Sequence, residues 1–600
     1  MNTTARKTAL AIATIATLLG ATFTGVGPAA AVVPPNAFQV QTGTIYQYVR
    51  ESSTTFASIT SNLNANWYSS RGVSDIRVYC PYKASSEWRG VPAIDFLSTN
   101  TNTGTVTDFQ NMVTAAHAKG ITVTMYISLL FVHTSNALWT TAQTQKGAGQ
   151  NTATTQLFRW ATTNTGAAPE QGDWAWSATA NSYYATSWGF PALNYTNLAT
   201  RDYAKTVLKF WMDKGVDGFE YDAPSMAWGI TNAYATDIMV TTPKTYTSNS
   251  KWLAAEGAVG SWDNPYSDSI GLTHVLINGD NDVESLATQI MNGTGTANQL
   301  ETRFVNVLDA RRAAGLGSNA WSLYDMSLSG DKRALDAAVF AGNGAQYSTD
   351  YQVVYSQLSA TDRTKYDTVF TAIKSTSALA PGASRTRVPT GSNSQYYATV
   401  RTSTDATKSA LAVYNFRNVS STITLDLTGL GVTTPQTPVN IVTGANAPAI
   451  TSNSYAITVP AYGYVFLNIA RTSGGGGGGT WTTTEDTAAG WTFSNYMQFS
   501  DPSASGGIDH ISQTSGAYGQ RTFTGTEIEV RGWKGDDGGT MQLLIDGVSR
   551  GTTSLYSPTD AYGSLYFSVT GLSAGTHTIR LQQTNATGAG WTAIDYYRTR

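Results

Sequence analysis

The chain has 600 residues, and its 37 Lys and Arg against 40 Asp and Glu give a formal net charge of −3. This near-neutral balance, with only 13% charged residues, argues against a nucleic-acid partner. A single cysteine, Cys80, excludes an intramolecular disulfide, so stability must come from large packed cores. Abundant Gly, Ser, Thr, Asn, Tyr and Trp are typical of sugar-binding surfaces, and equally of exported β-rich proteins.

Residues 1–31 have the order of a secretory signal peptide. Arg6 and Lys7 precede an apolar stretch from Thr8 to Gly27, and the small residues of Pro28 to Ala31 provide a cleavage point. The alternative is a buried apolar helix. No later segment reaches the roughly 18 uninterrupted apolar residues that a membrane span needs. We therefore expect a secreted, extracellular monomer with no membrane partner.

Residues 38–385 alternate short β-type runs with amphipathic helical stretches that end at a glycine. The pattern predicts strands over 76–79, 121–127, 216–222 and 252–255, and helices over 107–119 and 200–214. Repeated strand–helix units favour a parallel sheet, and at this length a (β/α)8 TIM barrel is expected.

The second half of the chain changes to alternating strands. Residues 387–470 predict an antiparallel β-sandwich packed on the barrel. Residues 472–480 form a glycine-rich linker, which separates off a further module at 481–600. That module is also expected to be a jelly-roll-like β-sandwich.

Two acidic residues follow predicted barrel strands. Asp222 ends the strand over 216–222, and Glu256 follows the strand over 252–255. Reactive side chains of parallel barrels lie at the carboxyl ends of the strands. Two carboxylates on neighbouring strand ends can provide a nucleophile and a general acid/base for glycoside cleavage. For each residue taken alone, a surface or helix-capping role is the alternative.

An ordered series of motifs, spread over about residues 75–350, resembles glycoside hydrolase family 13, the α-amylase family. The matching segments are Trp88–Phe96, Gly104–Phe109, Ala116–Val123, Pro191–Tyr195 and Phe210–Asp222. The region after residue 387 resembles the family's C-terminal domain. This resemblance implies a retaining glycosidase or transglycosidase that acts on an α-linked glycan, an α-glucan foremost.

The resemblance also implies roles for individual residues. Asp222 falls at the family's nucleophile and Glu256 at its general acid/base. Asp325 falls near the third carboxylate, which holds sugar hydroxyls, with Asp309 as the alternative for that role. His133 resembles the end of the first conserved region and would contact the substrate.

Three departures from the family pattern lie in the subsite for the reacting sugar. Glu220 stands where the family has Arg, Tyr126 where it has Asp, and Tyr324 where it has His. An Arg near the nucleophile would lower that carboxyl's pKa, so Glu220 is expected to reverse the local field. A different sugar or linkage, a misalignment, and a lost activity that leaves a glycan-binding protein all stay open. Trp228 and Trp262 are candidate sugar platforms, or they pack against the barrel rim.

The sequence contains no recognisable metal or cofactor motif. Its five histidines are scattered and there is no cysteine cluster, so no cofactor is expected. A structural calcium held by the run Asp280 to Asp282 is an alternative, although such runs are commonly solvated turns.

The terminal module resembles the galactose-binding-like carbohydrate-binding modules of secreted glycan enzymes. The segments that carry this resemblance are Phe523–Thr526, Val530–Gly535, Leu544–Gly547 and Gly571–Thr578. Tyr556, Tyr562 and Trp591 are candidate sugar-stacking residues, each with a structural role as the alternative. Such a module would hold the enzyme on a polysaccharide or oligosaccharide and raise the local substrate concentration.

Overall fold

The structure is a computed structural model. It describes residues 43–49, 54–168, 172–246, 252–256, 270, 272, 276–278, 286–309, 320–322, 328, 330–350, 355–471, 482–557, 560–569, 572 and 575–599. The predicted signal peptide and glycine-rich linker lie outside these residues. Within the described part, no helix has both the length and the apolar character needed to cross a membrane.

An eight-stranded parallel sheet forms the first half of the protein. Its strands are β1 (Gly43–Tyr48), β2 (Asp75–Tyr79), β5 (Thr122–Ile127), β10 (Gly218–Tyr221), β11 (Trp252–Ala255), β12 (Leu276–Asn278), β13 (Ala320–Ser322) and β14 (Gln346–Asp350). The sheet order is β11-β10-β5-β2-β1-β14-β13-β12, so the first strand pairs with the last. This is the order of a (β/α)8 barrel, and the predicted fold class of the catalytic region is confirmed.

Helices follow the strands around the barrel. They are α1 (Phe56–Asn64), α2 (Val106–His117), α3 (Ala137–Gly147), α4 (Ala153–Gln156), α5 (Leu198–Asp213), α6 (Asn232–Ala235), α7 (Thr242–Tyr246), α8 (Leu286–Asn292), α9 (Ala297–Arg303), α10 (Gly330–Gly342) and α11 (Ala360–Lys374). The predicted helices over 107–119 and 200–214 correspond to α2 and α5. At the start of α2, Thr105 and Asp108 form a capping box that satisfies free N–H groups.

A small antiparallel insertion lies between β5 and α5. Its strands are β6 (Trp160–Ala161), β7 (Trp174–Ser177), β8 (Ser182–Ser187) and β9 (Phe190–Pro191), and a separate two-stranded ribbon pairs β3 (Lys83–Ala84) with β4 (Ala93–Asp95). The ring of Trp160 stacks on Trp139 of α3 with centroids 5.3 Å apart, which attaches the insertion to the barrel.

The backbones of β10 and β11 approach very closely at Gly218. A Cβ atom built on Gly218 would lie 2.0 Å from the carbonyl oxygen of Trp252, so only glycine fits there. Trp252 also contacts β2, since the Arg77 guanidinium lies 3.9 Å from the centroid of the Trp252 ring.

Two further β-rich regions follow the barrel, as predicted. The first contains β15 (Ser384–Arg387), β16 (Tyr396–Thr402), β17 (Ser409–Asn415), β18 (Ser421–Asp426), β19 (Val439–Asn440), β20 (Ser454–Val459) and β21 (Gly463–Ile469). β15, β16, β17, β21 and β19 form one sheet, and β18 pairs with β20. The two sheets share one apolar core, and Phe466 packs in a second core with barrel helix α10.

The described part of the terminal region runs from residue 482 and contains three antiparallel sheets. Its strands are β22 (Thr482–Glu485), β23 (Thr492–Ser494), β24 (Met497–Ser500), β25 (Ile508–Ser512), β26 (Tyr518–Thr524), β27 (Ile528–Lys534), β28 (Thr540–Ile545), β29 (Val548–Ser554), β30 (Ala561–Val569), β31 (Thr576–Gln583), β32 (Thr592–Ile594) and β33 (Tyr596–Thr599). The sheet orders are β22-β33-β27-β30, β23-β26-β31-β28-β29 and β24-β25-β32.

Candidate active site

Asp222 and Glu256, here called the carboxylate pair, lie at the carboxyl ends of adjacent strands. The Asp222 N–H donates to the Ile127 carbonyl at 3.0 Å, and the Glu256 N–H donates to the Tyr221 carbonyl at 2.8 Å. Both bonds continue the parallel ladders by one residue, so the barrel fixes both backbones. Asp222 is followed by Ala223 with φ of 30°, a left-handed conformation that is strained for alanine.

The hydroxyl of Tyr126 on β5 joins the carboxylate pair. Its oxygen lies 2.8 Å from Oδ1 of Asp222 and 2.9 Å from Oε2 of Glu256. Both distances are measured from the Tyr126 hydroxyl oxygen. The distance between the two carboxylate oxygens therefore cannot exceed the sum of these two distances. This upper limit, which applies to the nearest oxygens, lies below the roughly 6.5–9.5 Å between the carboxyl groups of inverting glycosidases.

The Tyr126 ring is fixed in turn by two other tyrosines at the same level of the barrel. Tyr79 stacks on Tyr126 with centroids 4.3 Å apart, and Tyr48 lies 4.7 Å from Tyr79. The guanidinium of Arg89 lies 4.7 Å from the centroid of Tyr48. Arg89 and its neighbour Trp88 both have positive φ, of 56° and 45°, so this rim segment is also strained.

The environment of Glu256 favours its protonated form. Burial, followed by the charge of Asp222, raises the pKa of Glu256 to about 9. The hydrogen bond with Tyr126 acts in the opposite direction. Glu256 is therefore the member of the pair whose surroundings favour a proton donor.

A buried ion pair lies beneath the carboxylate pair. Nη1 of Arg77 lies 2.7 Å from Oε2 of Glu220, and the side chains are 0% and 1% exposed. The Tyr46 hydroxyl also donates to Glu220. Arg77 donates further to Thr124 at 2.9 Å and lies 3.5 Å from Asp75. Burial raises the pKa of Glu220, while Arg77 and Tyr46 act to lower it.

These contacts correct the expectation for Glu220. The sequence predicts that Glu220 touches substrate and reverses the field at the nucleophile. In the structure its carboxylate faces Arg77 and Tyr46 inside the barrel, and the charge of Arg77 offsets its own. Tyr126, also predicted to contact substrate, is bonded to both members of the carboxylate pair.

His133 lies beside an aromatic cluster at the barrel rim. Its ring is 5.7 Å from that of Phe190, and its Nδ1 accepts a hydrogen bond from the Ser135 N–H at 3.0 Å. Trp88 packs edge-on against Phe190 at 5.2 Å and keeps 46% of its surface exposed. Trp228, on the loop after β10, lies against the Arg159 guanidinium at 3.8 Å.

The structure places the alternative third carboxylate, Asp309, away from the pair. Asp309 ends a π-helical turn, Phe304–Asp309, and its Oδ2 accepts a hydrogen bond from Arg385 of β15. It therefore joins the barrel to the following β-rich region, and its proposed role at the site is wrong. Asp325, Tyr324 and Trp262 lie outside the described residues.

No group of three or more His, Cys, Asp or Glu in the described residues is arranged to hold a metal ion. The run Asp280 to Asp282 falls outside them, so the calcium alternative stays a prediction, as does the absence of a cofactor.

The candidate sugar-binding residues of the terminal region are placed as follows. Tyr556 is 59% exposed and forms a backbone bridge with Gly535. Trp591 bridges Gly538 of the same loop, so the two aromatic residues flank one segment. Tyr562 is 38% exposed, and its pKa is raised to about 12 by partial burial and a hydrogen bond to Asp501.

Sequence reasoning missed the polar interior of the barrel. Arg77 and Tyr79 alternate along β2 with buried Ile76 and Val78, and Tyr46 and Tyr48 are likewise two residues apart on β1. That period of two is the signal that could have placed them on the inner face of the barrel. The pattern does not identify the residue that pairs with Arg77, because Arg77 and Glu220 are 143 positions apart in the sequence.

The sequence comparisons agree with this architecture. Residues 72–259 match the sequence profile of the family described as "Alpha amylase, catalytic domain". The matched stretch runs from just before β2 to just after β11 and contains both members of the carboxylate pair. This part of the chain is therefore similar to α-amylase catalytic domains.

Similar curated proteins include the cyclomaltodextrin glucanotransferase of Bacillus licheniformis, 30% identical over 176 residues, which are 28% of this chain and 24% of that protein. Alpha-amylase 3 of Dictyoglomus thermophilum is 31% identical over 146 residues, which are 24% of this chain and 28% of that protein. The chain thus spans about a quarter of the length of these relatives.

Among solved structures, Amy13B of Eubacterium rectale superposes with a TM-score of 0.57 at 16% identity, covering 74% of this chain and 99% of that chain. At this identity the likeness concerns the fold alone. It agrees with a (β/α)8 barrel followed by a β-rich domain.

Proposed function

We propose that this protein is a retaining glycosidase or transglycosidase that acts on an α-glucan, with Asp222 as nucleophile and Glu256 as general acid/base. The observation that carries the proposal is the shared Tyr126 hydroxyl, which keeps the nearest oxygens of the two carboxylates closer together than the carboxyl groups of inverting enzymes usually are.

The proposed reaction has two steps. Asp222 attacks the anomeric carbon while Glu256 gives its proton to the glycosidic oxygen, so the leaving sugar departs neutral and a glycosyl ester remains on Asp222. Glu256 then takes a proton from water or from a sugar hydroxyl, whose oxygen attacks the anomeric carbon and frees Asp222. Two inversions at one carbon give net retention.

The electrostatics of the pair support these roles. In the free enzyme the charge of Asp222 helps to hold the proton on Glu256, as a general acid requires. Formation of the ester removes that charge, so the pKa of Glu256 falls and the residue can act as a base in the second step. Tyr126 can donate its hydrogen bond to whichever carboxylate is charged.

The substrate class is proposed from the named relatives. A cyclomaltodextrin glucanotransferase and an α-amylase are both among the proteins to which the chain is similar. Hydrolysis and transfer are therefore both within the proposal. We further propose a secreted enzyme whose terminal region is a carbohydrate-binding β-sandwich, with exposed Tyr556 as its foremost sugar contact.

Product release from starch, pullulan, dextran and other α-glycans tests this proposal. We expect at least one glucan to yield products with the wild type, and Asp222→Asn to abolish them. Asp309→Asn is the matched control, because it makes the same chemical change at a carboxylate bonded to Arg385. Turnover of a non-glucose glycan alone would correct the substrate, and binding without turnover would indicate a glycan-binding protein.

A further inference from the structure

The antiparallel insertion between β5 and α5 has two different faces. Trp160 of β6 and Tyr184 of β8 are opposite one another in the strand register. Both pack on Trp139 of helix α3, with ring centroids 5.3 and 4.4 Å away. Because side chains alternate between the two faces along each strand, Tyr183 and the residue opposite it, Trp176, lie on the face directed away from α3.

The outward face, here called the insertion face, consists of Arg159, Trp174, Trp176 and Tyr183. Trp174 is two residues before Trp176 on β7 and therefore shares its face. Arg159 belongs to the same row, because its carbonyl accepts a hydrogen bond from the N–H of Ala185, the residue opposite Trp174. The guanidinium of Arg159 lies 5.0 Å from the centroid of Trp174. The insertion face is thus a continuous row of aromatic and guanidinium planes.

The outer part of the insertion face is open to solvent. Trp176 is 51% exposed, and its ring lies edge-on to that of Tyr183 with centroids 4.9 Å apart. Trp174 is buried instead, and its indole N–H donates to the Gly166 carbonyl at 2.8 Å. Trp176 therefore offers the solvent a flat apolar ring with an N–H donor at its edge.

The inner end of the insertion face reaches the candidate active site. The Arg159 guanidinium lies 3.8 Å from the centroid of Trp228. Trp228 directly follows Ala227, which lines one small cavity together with Asp222. The Trp228 carbonyl accepts a hydrogen bond from the Tyr195 N–H at 2.9 Å, which fixes this loop. Arg159 therefore contacts both the loop that follows the proposed nucleophile and the aromatic row of the insertion.

The chemistry of this surface fits a neutral sugar chain. Aromatic rings present large apolar faces on which the apolar faces of pyranose rings can stack, and a guanidinium provides hydrogen-bond donors for hydroxyl groups. Arg159 is the one charged member of the insertion face, so the outer part does not select a charged ligand. Trp174 and Trp176 are about 7 Å apart along β7. Together with Trp228 the row is longer than one sugar ring.

We propose that the insertion face and Trp228 form an extended binding surface for the glucan chain whose reacting unit lies at the carboxylate pair. This inference rests on the function proposed above and adds to it a preference for chain length. A short oligosaccharide is held at the carboxylate pair alone, whereas a longer chain also stacks on Trp176 and Tyr183. The enzyme therefore acts on long chains in preference to short ones.

The first test compares kcat/KM for a trisaccharide and a heptasaccharide of the glucan that the wild type turns over. Trp176→Ala should lower the value for the heptasaccharide about tenfold, the scale of one lost aromatic contact, and change that for the trisaccharide less than about twofold. Trp176→Phe keeps a ring and should recover most of the loss. An equal loss for both lengths, or no loss for either, would overturn the proposal while the proposed glycosidase stands.

Tyr246→Ala provides the matched control. Tyr246 is 41% exposed, and its hydroxyl donates to Asp213 at 2.8 Å. Asp213 ends helix α5 just before β10 begins, so Tyr246 lies at the end of the barrel opposite to the carboxylate pair. Its removal should leave the ratio of the two kcat/KM values unchanged. A change as large as that of Trp176→Ala would mean that loss of any exposed ring has this effect, and would overturn the proposal.

A second measurement does not need turnover. Calorimetric titration of Asp222→Asn with maltoheptaose, and separately with isomaltoheptaose, compares binding with and without Trp176→Ala. Both proteins also carry Tyr556→Ala, because the terminal region is itself a proposed sugar site. We expect the Kd of at least one heptasaccharide to rise about tenfold on removal of the Trp176 ring. An unchanged Kd, or failure of both heptasaccharides to bind, would overturn the binding surface.

The titration also separates this proposal from the enzyme function. An inactive wild type whose Kd still depends on Trp176 would contradict the glycosidase and keep the binding surface. Sedimentation velocity tests the other possible occupant, which is a second copy of this chain. A wild-type dimer that Trp176→Ala dissociates would assign the insertion face to a protein contact and overturn the proposal.

Discussion

Arg77 on β2 reaches across the barrel interior to Glu220 on β10, with Nη1 2.7 Å from Oε2, although the intervening strand β5 separates their backbones. The pair balances charge directly beneath the carboxylate pair. Glu220 therefore does not imply a lost activity, because the barrel supplies a cation beside it from another strand.

Arg77→Met should destabilise the fold strongly. It leaves the Glu220 carboxylate buried with one donor fewer, and breaking a buried pair from one side costs about 3–5 kcal/mol. Urea unfolding followed by tryptophan fluorescence would measure the loss. Arg77→Met combined with Glu220→Gln should recover part of it, and a double variant no more stable than the single one would contradict this account of the pair.

Tyr126→Phe should lower kcat much more than it changes KM. The variant keeps the ring stacked on Tyr79 and removes only the hydroxyl that orients both carboxylates. We expect a loss of roughly 100-fold, the scale of one preorganised hydrogen-bond donor. Steady-state kinetics on the preferred glycan would measure it. A loss of less than threefold would show that the hydroxyl is not needed to position the pair.

Stability should depend on pH through Glu256. Its folded-state pKa of about 9 exceeds the ordinary glutamate value of about 4.3, so the folded state binds this proton more tightly than the unfolded chain. The stabilisation of the folded state by this proton is complete at low pH, and it is lost progressively as the pH rises from about 4.3 to about 9. Glu256→Gln lacks the titration, and its Tm should therefore rise relative to the wild type across that range. If the Tm of the wild type and of Glu256→Gln changed with pH in the same way, the raised pKa of Glu256 would be contradicted.

Gly218→Ala should be severely destabilising. The added Cβ would lie 2.0 Å from the Trp252 carbonyl oxygen, which cannot move without separating β10 from β11. We expect a cost of about 3 kcal/mol or aggregation on expression. Gly166→Ala is the control, because its Cβ would meet Trp174 at an ordinary 3.6 Å. Equal thermal stability of the two variants would show that the strand contact is looser than described.

The sequence was sufficient to predict the barrel and to place Asp222 and Glu256 at the ends of strands. The signals used for this, which are strand periodicity, glycines at helix ends and acidic residues after strands, are local in the sequence. It could not predict that the Tyr126 hydroxyl reaches both carboxylates, or that Arg77 balances Glu220, since those contacts exist only once the barrel closes. The prediction that Asp309 could be the third carboxylate was wrong for a related reason. Its partner Arg385 belongs to the next region of the chain, and nothing local to Asp309 indicates that contact.

The most direct test of the central claim is the anomeric configuration of the first product. Proton NMR should follow the glycan that the wild type turns over from the first minutes, before mutarotation mixes the anomers. A carboxylate pair held on one tyrosine hydroxyl predicts that the α-anomer appears first, through a glycosyl ester on Asp222. Initial release of the β-anomer would mean direct attack by water, and would contradict the assignment of Asp222 as nucleophile.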